Sequence, residues 1–455
     1  MKVSISDLKN ESNLLIKLAM PILFAQLALT GLGVVDTLMS GRVGTDDLAA
    51  VGLGTNIFLP VFIFATGILL AITPMVSRAN GQNSPAQIGH FLVQGVWLSL
   101  PLGLLSMLLL MNLQPLLDVL ELSANVYQLT EDYLFYISFG MPGVAAYQAL
   151  RFFWEGVGKT LPTMWISFAG LLINVPLNYV FIYGYGPFEA MGAAGCGVAS
   201  ALVMWSMFVV GVIYIFSSSF FKTYLRHIRN IKVVWHDGVK SLLNLGVPNS
   251  LALLFEVGLF SFIILFIAPL GTHIIGAHQI AINVTSLAFM VPLSFAMALT
   301  VRVGYGYGQQ SKQQVRISLV NGFLWALLIG ALMAAISFWL RFEIVTLYTF
   351  DPNVIALAAS LLVFAAMYQI CDAVQVTAAG ALRGFHDTKV TMWVTLLSYW
   401  VIGLGLGNVF AFTDWMTHEP MGVSGFWLGI VLGLTLAAIL LPLRLQKVYK
   451  ERLHA

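Results

Sequence analysis

Charge is what this sequence lacks. Of its 455 residues only 9% are Asp, Glu, Lys or Arg, against about 25% in an ordinary soluble protein, and 59% are apolar. That balance excludes a water-soluble globular domain and places the chain in a membrane. Cysteine is almost missing as well. Cys196 and Cys371 lie on different apolar runs, so neither a disulfide framework nor a cysteine metal set is encoded.

Complete catalytic and nucleotide motifs are absent too. Gly156-Val157-Gly158-Lys159-Thr160 ends like a phosphate-binding loop, but Phe153 stands where that motif needs its first glycine, and no strand precedes it. Gly304-x-Gly306-x-Gly308 and Gly403-x-Gly405-x-Gly407 lack the full dinucleotide fingerprint and read as close-packing or bending positions in membrane helices. His273 and His278 are five apart with no carboxylate completing a zinc set, and His418-Glu419 sits beside Pro420. These histidines read as interfacial or hydrogen-bonded groups rather than metal ligands. No nucleophile and base pair falls within the apolar runs, so no enzyme, cofactor or nucleotide dependence is expected.

What is present is length in the apolar runs. Twelve of them reach about 20 residues, enough to cross a hydrocarbon core as helices. They extend roughly over 13–39, 48–76, 88–112, 128–151, 163–185, 192–217, 241–267, 275–301, 317–340, 354–380, 390–411 and 422–443. With the N-terminus inside, twenty of the 22 basic residues fall on the cytoplasmic side and Arg42 and Arg341 on the other. The positive-inside rule therefore predicts an even number of spans with both termini cytoplasmic.

The chain also repeats itself at a spacing of 227 residues: Leu18 and Pro21 recur as Leu245 and Pro248, Gly44-Thr45 as Gly271-Thr272, and Gly81-Gln82 as Gly308-Gln309. The spacing becomes 228 for Thr163-Met164-Trp165 against Thr391-Met392-Trp393, and 230 for Met191-Gly192-x-x-Gly195 against Met421-Gly422-x-x-Gly425. An even number of spans per copy gives both copies one orientation. The pattern predicts two six-helix lobes related by a pseudo-two-fold axis along the membrane normal, as in transporters whose site lies between repeats. The expected organisation is an N-terminal lobe over 1–217, a basic cytoplasmic linker over 218–240, and a C-terminal lobe over 241–455 with a short cytoplasmic tail. The first apolar run has an internal twin at Leu245 to Pro248, which argues for a span rather than a cleaved signal.

Three carboxylates remain inside the runs: Asp36, Glu256 and Asp372. A charge at mid-bilayer costs about 3 kcal/mol on insertion scales, so such groups mark ion or substrate paths. At about 1.5 Å per residue, Glu256 lies about 24 Å along its helix from Lys240 and Asp372 about 16 Å from Arg383, both within the hydrocarbon; Asp36 lies about 28 Å from Lys17, near the outer end and partly hydrated. Tyr368 shares a helix face with Asp372. Asn174 and Asn178 flank Pro176, which is expected to open the helix towards a polar cavity. All three acids sit where the copies differ, opposite Ile263, Leu29 and Val144 respectively.

Five segments resemble one known family: Val35-Asp36-Thr37-x-Met39-x-Gly41, Phe255-Glu256-Val257, Ala277-His278-Gln279, Tyr368-Gln369-x-x-Asp372-Ala373-Val374-Gln375 and Ala379-Gly380-x-Leu382-Arg383-Gly384. The chain is similar along nearly its whole length to the multidrug and toxic compound extrusion (MATE) transporters, specifically the bacterial NorM-type branch. The resemblance implies twelve helices in two lobes, and export of cationic amphipathic drugs against entering sodium ions or protons. It implies a coupling-ion site at Glu256, Asp372 and Tyr368, with sodium, if used, on the two acids. It assigns Asp36 to coupling or substrate binding and matches Asn174 and Asn178 to polar positions that accompany a second acid in other branches. Asn178 carries no carboxylate here, which weakens a proton site confined to the first lobe. Gln279, Phe289 and Met290 are further candidates for the substrate cavity, Met and aromatic side chains giving an adaptable wall. The expected setting is the bacterial inner membrane, as a monomer with lipid around it and no nucleic-acid partner. A lipid-linked glycan flippase is the rival transport reading; it favours basic groups in the cavity, where this chain places acids.

Overall fold

The computed structural model describes residues 4–120, 122–228, 232–416 and 418–454; Lys2 and Arg229 of the charge count lie outside them. The described residues form an all-helical, polytopic membrane protein. Its long helices are α1 Ile5–Gly41, α2 Thr45–Gly81, α3 Pro85–Met111, α4 Ala124–Ser138, α5 Met141–Gly156, α6 Leu161–Tyr183 and α7 Ala193–Ser217. After the linker come α8 Lys240–Ile267, α9 Thr272–Gly308, α10 Lys312–Trp339, α11 Pro352–Gly384, α12 Lys389–Phe412 and α13 Val423–His454. Large apolar side chains such as Trp165, Leu172, Leu332 and Trp393 remain exposed on them, as lipid-facing helices require.

Eleven of these elements are long and apolar enough to cross a membrane singly. The fourth apolar run is divided between α4 and α5, of 15 and 16 residues. The break falls at Phe139-Gly140, where a side chain on Gly140 would run into Met204 and Ala201 of α7, and Pro142 starts the next helix. The Trp205 indole of α7 donates to the Phe139 carbonyl at 2.9 Å. The two halves together make the twelfth crossing, and the fold is that of twelve helices in two six-helix lobes.

By internal packing the chain divides into one unit of Met1–Ala19 with Leu251–Ala455 and another of Met20–Ser250. The repeat is written into matching turns. Asn83 and Gln310 both take a positive φ, of 52° and 54°, and Ser84 and Ser311 stand at the N-cap positions of the helices that follow, where the Ser311 hydroxyl accepts from Gln314 N–H. The phosphate-loop lookalike is a turn of the same kind: Lys159 N–H donates to Trp154 O at 2.8 Å, as Asp387 N–H does to Leu382 O at 2.9 Å. The Met-Gly-x-x-Gly motif is a third. Met191 N–H donates to Phe181 O and Met421 N–H to Phe410 O, with Gly192 and Gly422 at φ 54° and 57°, conformations that glycine adopts without strain.

Those contacts expose one more residue in the second copy. Phe410 follows Phe181 by 229 positions although the helices carrying them start at a spacing of 228, with Leu161 and Lys389. The extra residue falls within α12, where Leu396–Leu406 is wound as a π-helix. A π-turn absorbs one inserted residue without ending the helix. By contrast α6 stays helical through Pro176, so the expected opening there does not occur.

Some of the basic residues counted on the cytoplasmic side are buried or paired on helices. Arg151 is 2% exposed and pairs with Glu155 at 2.8 Å, Arg302 pairs with Glu11 at 2.6 Å, and Arg383 is 7% exposed. Each lies close enough to a helix end for hydropathy to miss its burial. In the linker, Ser219–Phe221 and Lys222–Ile228 are helical, and Gln94 of α3 bonds Lys232 O and Val234 N–H at 2.9 and 3.1 Å. The linker is thus docked on its own unit rather than extended.

Candidate functional site

In the unit Met20–Ser250, Asp36 of α1 is 7% exposed and surrounded by donors. Its Oδ1 accepts from Asn174 Nδ2 at 3.0 Å and Asn178 Nδ2 at 2.6 Å, and its Oδ2 from Ser200 Oγ at 2.9 Å. Asn178 also donates to Asn174 Oδ1 at 3.0 Å. One helical turn separates the two asparagines, so both amides leave α6 on the same face, and α7 adds the hydroxyl. Partial hydration was expected; the carboxylate is instead held by side chains. Such a set suits a carboxylate that stays in one place, because each buried oxygen keeps a partner. Tyr133, 2% exposed, bonds Thr55 at 3.2 Å in the same apolar cluster as Cys196 and Met39.

The other acids belong to the second unit. Asp372 of α11 is 9% exposed and accepts from Gln375 Nε2 at 3.3 Å. Glu256 of α8 is half-buried and lies within Coulombic range of both Asp372 and Arg383. The predicted pair is therefore brought together, with a guanidinium added. In ionised form the three sum to one negative charge, a balance that one monovalent cation would neutralise.

Tyr368, 3% exposed, stands one turn before Asp372 and lies against Trp427 of α13, ring centroids 6.3 Å apart. Trp427 in turn donates from its indole to His278 Nδ1 at 3.1 Å. His278 is fully buried, so it braces the aromatic wall behind Tyr368 as a hydrogen-bonded core residue. Gln279 beside it is exposed, while Phe289 and Met290 of α9 are half-buried.

Sequence reasoning left out two groups. Arg383 was visible in the Ala379–Gly384 tract but was counted as a loop charge. Tyr399 of the π-helical segment is 2% exposed, within Coulombic range of Glu256 and Asp372, and its hydroxyl has no hydrogen-bond partner among the described residues. Nothing in an apolar run distinguishes such a tyrosine from a packing residue.

A family model described as MatE matches residues 21–180 and 248–409. The two stretches start 227 residues apart and end 229 apart, which reproduces both the repeat and the inserted residue. The chain is similar to the probable multidrug resistance protein NorM of Shewanella oneidensis, 42% identical over 442 residues, with 97% of this chain and 95% of the relative covered. It is also similar to the multidrug resistance protein MdtK of Yersinia pseudotuberculosis, 40% identical over 449 residues, with 97% and 96% covered. Among solved structures, the eukaryotic MATE transporter AtDTX14 superposes with a TM-score of 0.88 at 20% identity, covering 98% of this chain and 99% of that one. That last likeness carries the fold alone.

Proposed function

The chain belongs to the MatE family, and on that premise we propose that it is a secondary multidrug antiporter, exporting cationic amphipathic compounds in exchange for sodium ions. Relatives named for multidrug resistance support the substrate class. The observation that carries the coupling is the placement of Glu256 and Asp372 within Coulombic range of each other in an apolar helical unit, with Arg383 close by. Burying like charges is costly unless something neutralises them. An entering cation does so, and its release to the cytoplasm restores the repulsion.

We take residues 1–217 and 241–455 as the two lobes, 218–240 as their cytoplasmic linker, and the bacterial inner membrane as the setting, with both termini inside. One charge crossing about 100 mV gains about 2.3 kcal/mol, to which an inward sodium gradient adds. Asp36, held by Asn174, Asn178 and Ser200, is assigned to the cationic substrate. Its oxygens are fixed by donors, so it offers a standing negative charge in an apolar setting.

The test is efflux of a cationic dye from proteoliposomes with sodium and proton gradients imposed separately. Export driven by sodium at equal pH supports the reading. Export that follows the proton gradient and ignores sodium replaces sodium by the proton, and chemical change of the dye would refute a transport function altogether.

A further inference from the structure

Helix α12 carries an unusual feature opposite the acids. Its Leu396–Leu406 stretch is π-helical, the residue inserted relative to α6 falls in it, and π-turns are retained mostly where they serve a site. The segment is also clamped. Trp400 Nε1 donates to the carbonyl of Phe255, the residue before Glu256, at 3.1 Å, and its ring meets those of Phe255 and Phe262 at 6.2 and 4.9 Å between centroids. On the far side Gly429 and Gly433 of α13 leave room for nothing larger against the carbonyls of Gly403 and Ser398.

Trp400 and Phe255, so joined, are the sequence neighbours of Tyr399 and Glu256, and Tyr399 lies within Coulombic range of Glu256 and Asp372. Tyr399 and Tyr368 share one buried cluster with Trp427 and Leu434, so the two tyrosines approach the acids from α12 and α11. Yet the Tyr399 hydroxyl is buried and bonds no group among the described residues. An unpaired buried hydroxyl destabilises a fold, and phenylalanine would fill the same space without that cost. The first lobe supplies the comparison: there α6, the counterpart of α12, sends Asn174 and Asn178 onto Asp36 as donors. An anion on its own wants donors, whereas a cation shared between carboxylates wants a further oxygen, which a phenol offers.

We infer that Tyr399 is an oxygen ligand of the ion held by Glu256 and Asp372, presented by the π-turn of α12. This rests on the reading of those two acids as the coupling site.

The test compares full-length wild type with Tyr399→Phe, Glu256→Gln and Asp372→Asn, each purified in detergent. Thermal unfolding is followed while sodium chloride replaces choline chloride at constant ionic strength. Ligand binding raises the unfolding temperature by an amount that grows with the logarithm of ligand concentration over Kd. The inference expects wild type to respond, the acid variants not to respond, and Tyr399→Phe to need about tenfold more sodium, the loss expected when a hydroxyl contacting a charge is removed. Without sodium, Tyr399→Phe should unfold at or above the wild-type temperature, which a merely structural tyrosine would not allow. A Tyr399→Phe response equal to wild type, with the acid variants silent, overturns the ligand and leaves the acids standing. A wild type indifferent to sodium, or acid variants that still respond, overturns the site itself.

Discussion

Asn178 donates to Asp36 at 2.6 Å while its neighbour one turn earlier, Asn174, donates to the same oxygen at 3.0 Å. The first-lobe acid is therefore held by side-chain donors, and removing its shortest donor should be felt. Asn178→Leu is expected to cost about 1.5–3 kcal/mol, the range for a hydrogen bond to a charged group, seen as a lower unfolding temperature. Cationic dye export should fall with it. Ser200→Ala, which removes one hydroxyl at 2.9 Å, should be milder. Unchanged unfolding and export in Asn178→Leu would show that the amide does not support Asp36.

In the second lobe the expectation concerns function more than stability. Glu256→Gln and Asp372→Asn each remove one of two neighbouring charges, so both proteins should insert and fold. Ion-driven export should be lost in each, measured as dye efflux from proteoliposomes with amounts matched by immunoblot. Export at the wild-type rate in either variant would reject the coupling role of that residue.

Much of this was legible in the sequence, for physical reasons that also mark where legibility ends. Twenty-residue apolar runs and the distribution of Lys and Arg identify twelve crossings, because lipid imposes both. The acids stand out for the same reason, since a charge in hydrocarbon must be explained. The Phe139-Gly140 break is hidden, because a kinked span is as apolar as a straight one and the cause lies in Met204 and Ala201 of another helix. Arg383 was misread because eleven residues along a helix from Asp372 looks like a membrane exit, whereas burial depends on how the helices pack. The π-helical insertion accounts for one residue of the drift in the repeat spacing from 228 to 230, the other falling in the turn after the helix, and the drift gives no sign of where either lies.

Close packing of α12 on α13 gives a sharper mechanical prediction. A methyl group on Gly429 would collide with the Gly403 carbonyl and come within 2.7 Å of Gly407 Cα. Both partners are backbone, which cannot rotate away. Gly429→Ala is expected to destabilise by about 1–3 kcal/mol, the usual cost of overpacking, and to weaken sodium-dependent stabilisation by shifting the π-turn. Gly52→Ala is the control: nothing lies within 4 Å of its added carbon, so its unfolding temperature should stay near wild type or rise slightly with better helix propensity. Equal behaviour of the two variants would mean that the glycine contacts do not set the position of α12.

The break between α4 and α5 can be tested through the residue that closes it. A carbonyl freed in mid-span has no water to accept from, so its satisfaction must come from another helix. Trp205 provides it, donating to Phe139 O at 2.9 Å while its ring covers Gly143, whose added carbon would lie 2.8 Å from the indole. Trp205→Phe keeps an aromatic ring over Gly143 and removes the donor. The expected loss is about 1–3 kcal/mol, the penalty for leaving an acceptor unpaired away from water, read as a lower unfolding temperature in detergent or bicelles. Trp165→Phe should do almost nothing, because Trp165 is 66% exposed on the lipid-facing side of α6. If instead both tryptophan variants unfold alike, the Phe139 carbonyl is satisfied without Trp205, and the break is maintained by the approach of Gly140 to α7 alone.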